Sequence, residues 1–83
     1  MVAAAQAYRR GLTTAVWGHV RPGEGRQHYL LQQFRDGAWR TVNGAYRTTV
    51  RGYFYRYVRA GAGSKLRVVH TPSGTVSPIL RVR

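Results

Sequence analysis

The sequence predicts an all-β protein built from antiparallel strands. Between its turns, apolar residues alternate with period two, whereas an amphipathic helix repeats every three to four residues. Glycine or proline interrupts every stretch that is long enough to form a helix. Together these two features predict about seven short strands, which is the pattern of an antiparallel sandwich or a small barrel.

Strand boundaries follow from the turn-forming residues. The first strand is predicted at residues 12–20, where one face consists of Leu12, Thr14, Val16, Gly18 and Val20. Three further strands are predicted at residues 27–34, 38–42 and 45–50. Asp36 with Gly37, and Asn43 with Gly44, separate these strands, because both pairs favour the positive φ angles of a type I′ hairpin turn.

The second half of the chain predicts three more strands, at residues 53–59, 65–70 and 75–82. Small and turn-forming residues separate them at 60–63 and 71–74. Pro78 has no N–H to donate, so the last strand is expected at a sheet edge or at a bulge. Trp17 and Trp39 lie in the middle of different strands, and both are expected to pack in the core.

The chain has 83 residues, which corresponds to one domain with a small core. We expect residues 1–10 to be an Ala-rich linker or a first edge strand, and residues 11–83 to be the β-sandwich domain. There is no cysteine to form a disulfide, so such a domain relies on efficient packing, on a neighbouring domain or on self-association. No apolar run approaches the ~20 residues of a membrane-spanning helix, so no membrane span is expected.

The chain is strongly basic, with 14 Lys and Arg residues against 2 Asp and Glu residues and a formal net charge of +12. Solubility alone requires a net charge of only ~2–8 in a small domain. The excess predicts attraction to polyanions with a strong salt dependence. The candidate partners are anionic cell-wall polymers, acidic polysaccharide and nucleic acid.

Residue types that carry catalysis are sparse. Glu24 and Asp36 are the only acids, and they belong to separate turn regions, so they do not predict an acid–base pair. No serine stands in a nucleophile-elbow sequence. His19, His28 and His70 are isolated from one another, and no cysteine accompanies them as a metal ligand. The sequence therefore predicts a protein that is not an enzyme and has no metal or cofactor.

A series of short motifs resembles one family of extracellular modules. In chain order, they are Gly-x-Val-x-Pro at residues 18–22, Tyr-x-Leu-Gln at 29–32, Gly-x-Trp-x-x-Val at 37–42, Thr-x-x-x-Gly-x-Phe at 48–54, Leu-Arg-Val at 66–68 and Ser-x-x-x-x-Val at 77–82. This ordered set resembles the immunoglobulin-like, fibronectin-type-III-like repeats of secreted bacterial proteins. Tyr29 stands where the family has a small aliphatic residue, and Leu66 stands where it has an aromatic one.

The resemblance implies an immunoglobulin-like β-sandwich that serves as a non-catalytic accessory module of a secreted glycoside hydrolase or cell-wall-acting enzyme. Its expected location is the secreted fraction or the cell envelope. Its expected partner is a catalytic domain of the same polypeptide or parent protein. In that setting the module is a spacer or stabiliser that also contacts carbohydrate or an anionic cell-wall polymer. The family contributes no catalytic residues.

The strongest candidate for ligand binding is the segment at residues 51–59. The family pattern places Phe54 and Val58 inside, which leaves the alternating tyrosines exposed for stacking on sugar rings or nucleobases. The candidate stacking platform is Tyr53, Tyr55 and Tyr57. The candidate anion contacts are Arg51, Arg56 and Arg59. Arg56 falls on the inward side of the strand, where it requires a bulge or a sheet edge to reach water.

Three alternatives to carbohydrate binding remain open at this point. In the first, the tyrosines pack against the N-terminal segment or a neighbouring domain, or only stabilise the sheet through cross-strand pairs. In the second, the chain is a basic nucleic-acid-binding β domain. In the third, it is a structural assembly subunit that self-associates. Salt separates the second from sugar stacking, because phosphate contacts lose orders of magnitude in affinity between ~50 and ~200 mM salt.

Overall fold

The computed structural model describes residues 6–21 and 25–83, which form two antiparallel β-sheets and no helix. The all-β prediction is confirmed, and the two sheets pack against each other as a β-sandwich. The described residues contain eight strands and an isolated bridge at Val20, rather than about seven strands. The strands are β1 (Gln6–Arg10), β2 (Thr13–His19), β3 (His28–Arg35), β4 (Ala38–Arg47), β5 (Tyr53–Arg59), β6 (Lys65–His70), β7 (Thr75–Val76) and β8 (Leu80–Arg81).

The eight strands are divided unequally between the sheets. One sheet has the order β1-β2-β5, and the other has the order β4-β3-β6, with β7 and β8 both paired to the remaining edge of β6. β4 and β5 are edge strands of different sheets and contact each other along one side of the sandwich, while β1 contacts β8. Residues 6–10 therefore form an edge strand, and residues 1–5 lie outside the described part of the chain.

The core lies between the sheets and is filled by alternate residues of the longer strands. Tyr29 is the largest fully buried side chain, and its ring centroid lies 4.8 Å from that of Phe54. Three members of the predicted common face, Thr14 and Val16 in β2 and the bridge residue Val20, are at most 1% exposed and point inward. The buried Thr14 hydroxyl donates to the carbonyl oxygen of Ala60 at 2.8 Å, so its burial leaves no polar group unsatisfied.

The prediction that both tryptophans pack in the core is wrong. Trp17 and Trp39 are only partly buried, and they lie on the outer faces of the three-stranded and five-stranded sheets respectively. The reason is the period of a strand, because Val16 points inward and its neighbour Trp17 must then point outward. Leu12 is predicted on the same face as Val16, but it precedes β2 and is 71% exposed.

The hairpin predicted at Asp36 and Gly37 is confirmed. The two residues have φ angles of 50° and 79°, and they connect β3 to β4 with Arg35 paired to Ala38. Both central residues of a type I′ turn require positive φ, which glycine adopts freely and aspartate tolerates.

The second predicted turn, at Asn43 and Gly44, is wrong, because β4 continues through both residues. The pairing with β3 changes register there, so that Leu31 is opposite Val42 while the preceding residue is opposite Ala45. The two additional residues form a bulge instead of reversing the chain. An insertion of two residues preserves the alternation of faces, so Val42 and the part of β4 beyond the bulge both still contribute to the core.

The last predicted strand is divided into β7 and β8, which pair with opposite ends of β6. Between them, Ser77 is buried and bonds twice to Val68: its N–H donates to the Val68 oxygen at 2.8 Å, and its hydroxyl accepts from the Val68 N–H at 2.9 Å. Pro78 follows in an exposed position outside the ladder, where its missing N–H is not required. No helix in the described part of the chain is long and apolar enough to cross a membrane.

Candidate ligand-binding surface

The tyrosines of β5 lie on the outer face of the three-stranded sheet. Along the strand they are 48%, 49% and 60% exposed, whereas Phe54 and Val58 between them are buried. The register with β2 places His19 and Trp17 beside the first two tyrosines on the same face. We call this surface the tyrosine face, and its members are Trp17, His19, Tyr53, Tyr55 and Tyr57.

Aromatic rings support one another across the tyrosine face. Trp17 stacks on Tyr55 with ring centroids 5.8 Å apart and planes inclined by 17°. Tyr57 meets Tyr55 edge to face at 5.4 Å and 74°, and their hydroxyl oxygens are 3.4 Å apart. Such offset and edge-on pairs are favourable beyond the area that they bury. Tyr55 is therefore held between two other rings.

Tyr53 has a different environment at the other end of the row. The Arg21 guanidinium carbon lies 5.1 Å from the centre of its ring, and Arg21 Nη2 donates to the Tyr53 hydroxyl at 3.2 Å. Arg21 also donates through Nη1 to the carbonyl oxygen of Arg51 at 2.9 Å. His19 approaches Tyr53 edge-on at 6.0 Å. These contacts fix Tyr53 against the turn that precedes β5.

The three predicted arginines lie in two different places. Arg59 pairs with Thr13 at the end of β5 and falls on the tyrosine face, and Arg51 is exposed in the turn that precedes the strand. Arg56 lies on the opposite side of β5, as the alternation requires. Five of the six predicted site residues therefore border one surface, and Arg56 belongs to another.

Arg56 reaches water because β5 is a sheet edge. Its Nε donates to the hydroxyl of the buried Tyr29 at 3.1 Å, and its guanidinium carbon lies 4.1 Å from the centre of the Tyr46 ring. Tyr29 occupies the position where the resembled family has an aliphatic residue. The hydrogen bond between the tyrosine hydroxyl and the inward arginine therefore accounts for both unusual residues, since each satisfies the polar group of the other.

A cleft of about 350 Å³ opens beside this pair on the side of the sandwich where β4 meets β5. We call it the arginine cleft, and it is lined by Arg26, Tyr29, Arg47, Thr48, Thr49, Tyr53, Phe54, Tyr55 and Arg56. Within the described residues, no acidic side chain lines it. Tyr53 and Tyr55 belong to both the cleft and the tyrosine face, so the two surfaces are continuous.

The environment of Tyr29 determines the protonation state of its phenol. Burial raises the pKa of Tyr29 above its ordinary value, and the hydrogen bond from Arg56 opposes this shift less strongly. The phenol is therefore neutral at physiological pH. Its oxygen accepts the hydrogen bond from Arg56.

Sequence reasoning missed several members of these surfaces. Trp17 was assigned to the core, although the alternation that buries Val16 already indicates an outward Trp17. Arg26 and Arg47 carry no local signal, because only the pairing of β3 with β4 brings residues 26 and 47 together. The aromatic residue at Tyr29 was a visible departure from the family pattern, but its partner Arg56 lies 27 residues away.

Comparison with protein-family models, with curated proteins and with solved structures gives no match to this chain. The immunoglobulin-like resemblance therefore rests on the sequence motifs, and the functional argument rests on the tyrosine face and the arginine cleft.

Proposed function

We propose that this chain is a non-catalytic accessory module of a secreted bacterial glycoside hydrolase or other cell-wall-acting enzyme, and that it binds acidic polysaccharide. The observation that carries the proposal is the aromatic platform on the tyrosine face. Tyr55 and Tyr57 are about half exposed, and Trp17 stacks on Tyr55 in the same surface.

This platform has the chemistry that a sugar chain requires. The C–H faces of a sugar ring are apolar and pack on aromatic rings, while tyrosine hydroxyls supply polar contacts at the ring edge. Tyr55 is held between two neighbouring rings, so little side-chain freedom is lost when a ligand binds. Tyrosine combines a large contact area with only two rotatable side-chain bonds, which favours its use in recognition.

The charge of the chain favours an acidic polymer over a neutral one. Arg51 and Arg59 flank the platform at the two ends of β5, and the formal net charge is +12. Guanidinium groups pair with carboxylate or phosphate oxygens through charge-assisted hydrogen bonds. The overall field also raises the rate of encounter with a polyanion.

The sheet topology supports the accessory-module part of the proposal. The first, second and fifth strands form one sheet, while the third and sixth form the other with the C-terminal strands. Immunoglobulin-type sandwiches divide their strands in a similar way, with A, B and E in one sheet and C, F and G in the other. β4 extends the second sheet as the strand C′ does in the variable type.

The second candidate function is binding of single-stranded nucleic acid, which the combination of stacked rings and high positive charge also favours. Salt dependence separates oligonucleotide binding from the stacking part of polysaccharide binding, which a neutral polymer isolates. Affinity for an oligonucleotide should fall by orders of magnitude between ~50 and ~200 mM salt, because bound counterions are released from the phosphates. Affinity for a neutral polysaccharide should change little over the same range.

The test of the proposed function uses two polymers that differ only in charge: polygalacturonate and its fully methyl-esterified neutral form. Titration calorimetry measures their binding to the chain and to the double variant Tyr55→Ala/Tyr57→Ala. Because each stacked ring contributes about 1–3 kcal/mol in comparable sites, we expect the double variant to lose about tenfold or more in affinity for both polymers.

The matched control is Phe34→Ala, which removes an aromatic ring that is 41% exposed on the outer face of the other sheet. This variant should keep both affinities within about twofold of the parent chain. Equal affinities in the parent chain and the double variant would refute the proposed function.

A further inference from the structure

We infer that the arginine cleft binds the acidic group, a carboxylate or a phosphate, of one unit of a polymer that lies on the tyrosine face. The inference rests on the proposed function and assigns a second subsite to it. It is carried by the arrangement of hydrogen-bond donors in the cleft, by the way they are held in place and by the continuity of the two surfaces.

The polar groups that face the cleft are mainly donors. Arg56 uses its Nε for Tyr29, and this leaves the two Nη groups at the end of the guanidinium for a ligand. Tyr29 is fully buried, so it accepts that bond and positions Arg56. Thr49 Oγ1 likewise accepts from the Tyr53 N–H at 3.1 Å and retains its proton. A ligand in this cleft must therefore offer acceptor oxygens.

Arg56 is the most firmly positioned of the three arginines in the cleft. Its Nε is hydrogen-bonded to Tyr29, and its guanidinium carbon Cζ lies 4.1 Å from the centre of the Tyr46 ring. An arginine that is already held by a hydrogen bond and a cation–π contact loses little conformational freedom on binding. Two paired acceptor oxygens match the fork of its remaining N–H groups.

The segments that carry Arg26 and Arg47 are linked through their neighbouring residues. Gln27 and Thr48 exchange two hydrogen bonds: the Thr48 N–H donates to the Gln27 oxygen at 2.9 Å, and the Gln27 N–H donates to Thr48 Oγ1 at 2.9 Å. This double link joins the segment before β3 to the end of β4. Arg26 and Arg47 both line the cleft, and both side chains are exposed.

No acidic side chain among the described residues competes for these arginines. Asp36 is the only acid in the described part of the chain, and it lies in the turn after β3. β3 begins at His28, beside the cleft, and ends at Arg35. Seven steps along a strand separate these two ends, which corresponds to about 23 Å.

The size and position of the cleft indicate how much of a polymer it can hold and from which surface the polymer can reach it. A volume of about 350 Å³ corresponds to one sugar unit or a group of similar size. Tyr53 and Tyr55 line the cleft on one side and belong to the tyrosine face on the other. A polymer stacked on the platform can therefore place one acidic group between the arginines without leaving the surface.

The test compares two variants in the cleft with one control that removes the same charge elsewhere. Arg56→Gln removes the firmly positioned guanidinium, and Arg47→Gln removes an exposed one. The control is Arg81→Gln in β8, at the far edge of the five-stranded sheet. Binding of polygalacturonate, of poly(glycerol phosphate) and of the neutral methyl ester is measured at a constant ionic strength of about 0.15 M, where distant charges are screened.

We expect Arg56→Gln to lower the affinity for an acidic polymer about tenfold or more, and Arg47→Gln to lower it about threefold or more. The control should stay within about twofold, and no variant should change the affinity for the neutral ester. The polymer that shows the loss identifies the acidic group as carboxylate or phosphate. Near-ultraviolet circular dichroism checks the fold, and Arg47→Gln decides the outcome if Arg56→Gln does not fold.

Equal losses in all three variants would overturn the inference, because the net charge would then explain the binding without the cleft. A loss of neutral-ester binding in the cleft variants that matches their loss of acidic-polymer binding would overturn it too, since the arginines would then only support the platform. A single-stranded dT oligonucleotide that binds more tightly than both acidic polymers, and weakens in the same variants, would also contradict it. Failure of the proposed function is distinct, because it is measured as the change in neutral-ester binding of Tyr55→Ala/Tyr57→Ala, and the neutral ester has no acidic group for the cleft.

Discussion

The outer faces of the two sheets both carry aromatic rings, yet these rings have different neighbours. On the five-stranded sheet, the Arg67 guanidinium carbon lies 4.3 Å from the centre of Trp39, and Lys65 Nζ lies 5.7 Å from the centre of Phe34. Arg67 is itself anchored by donating through Nε to Gln32 Oε1 at 2.8 Å. On the tyrosine face, Arg21 likewise lies over Tyr53, whereas Tyr55 lies between the rings of Trp17 and Tyr57.

The contrast shows that an exposed aromatic residue is not sufficient evidence of a binding site. A cation over a ring occupies the surface on which a sugar or base would stack, and it stabilises the protein itself. We call the surface of Gln32, Phe34, Trp39, Lys65 and Arg67 the cation-covered face. The neighbouring strand decides the difference around Tyr55, because β6 supplies Lys65 and Arg67 to one face while β2 supplies Trp17 to the other.

The largest effect that separates the faces is expected from truncating their tryptophans. Trp17→Ala removes the ring on which Tyr55 stacks, so it should lower the affinity for polygalacturonate about tenfold and the free energy of unfolding by about 2 kcal/mol. Trp39→Ala should cost a similar stability, because its ring is also partly buried and packs against Phe34 at 5.4 Å. Its affinity should remain within about twofold of the parent chain.

Urea unfolding and calorimetry on the same two variants measure both quantities. If Trp39→Ala weakened polysaccharide binding as much as Trp17→Ala, the distinction between the faces would be lost.

Local chemistry predicted a large part of the fold, and the exceptions have physical causes. Asp36 and Gly37 form their hairpin because a tight turn requires only their own positive φ angles. Asn43 and Gly44 have the same local preference, but continued pairing of β4 with β3 overrides it. The tertiary partner decides between a turn and a bulge, and no local pattern records that partner.

The candidate site likewise has a part that local sequence predicts and a part that only long-range pairing creates. The tyrosine row was predictable because it depends on alternation within one strand, and so was the inward position of Arg56. The arginine cleft was not, because it depends on residues 26, 47 and 56 from separate segments, brought together by long-range pairing. The hydrogen bond between Tyr29 and Arg56 satisfies two residues that each look unfavourable alone.

A smaller effect is expected from pH, and it should concern the five-stranded sheet. His70 in β6 is buried, and this burial lowers the pKa of its imidazole. Below about pH 6.5 the unfolded chain binds a proton at this residue, whereas the native state resists protonation. The free energy of unfolding should therefore decrease as the pH falls from neutrality to about 5.

The matched variant is His70→Gln, which keeps a polar side chain near the Gln27 and Ser73 partners of His70. Urea unfolding at several pH values should show a weaker pH dependence in this variant than in the parent chain. If the free energy of unfolding depended on pH in the same way in both proteins, groups other than His70 would be responsible for the loss of stability.

The most direct test of the central claim uses the two indole N–H signals as reporters, because one tryptophan lies on each face. In ¹H–¹⁵N spectra of the intact chain, the Trp17 indole signal should move progressively and saturate as oligogalacturonate is added, while the Trp39 signal stays in place. Equal movement of both signals, or saturable movement of Trp39 alone, would contradict the assignment of carbohydrate binding to the tyrosine face.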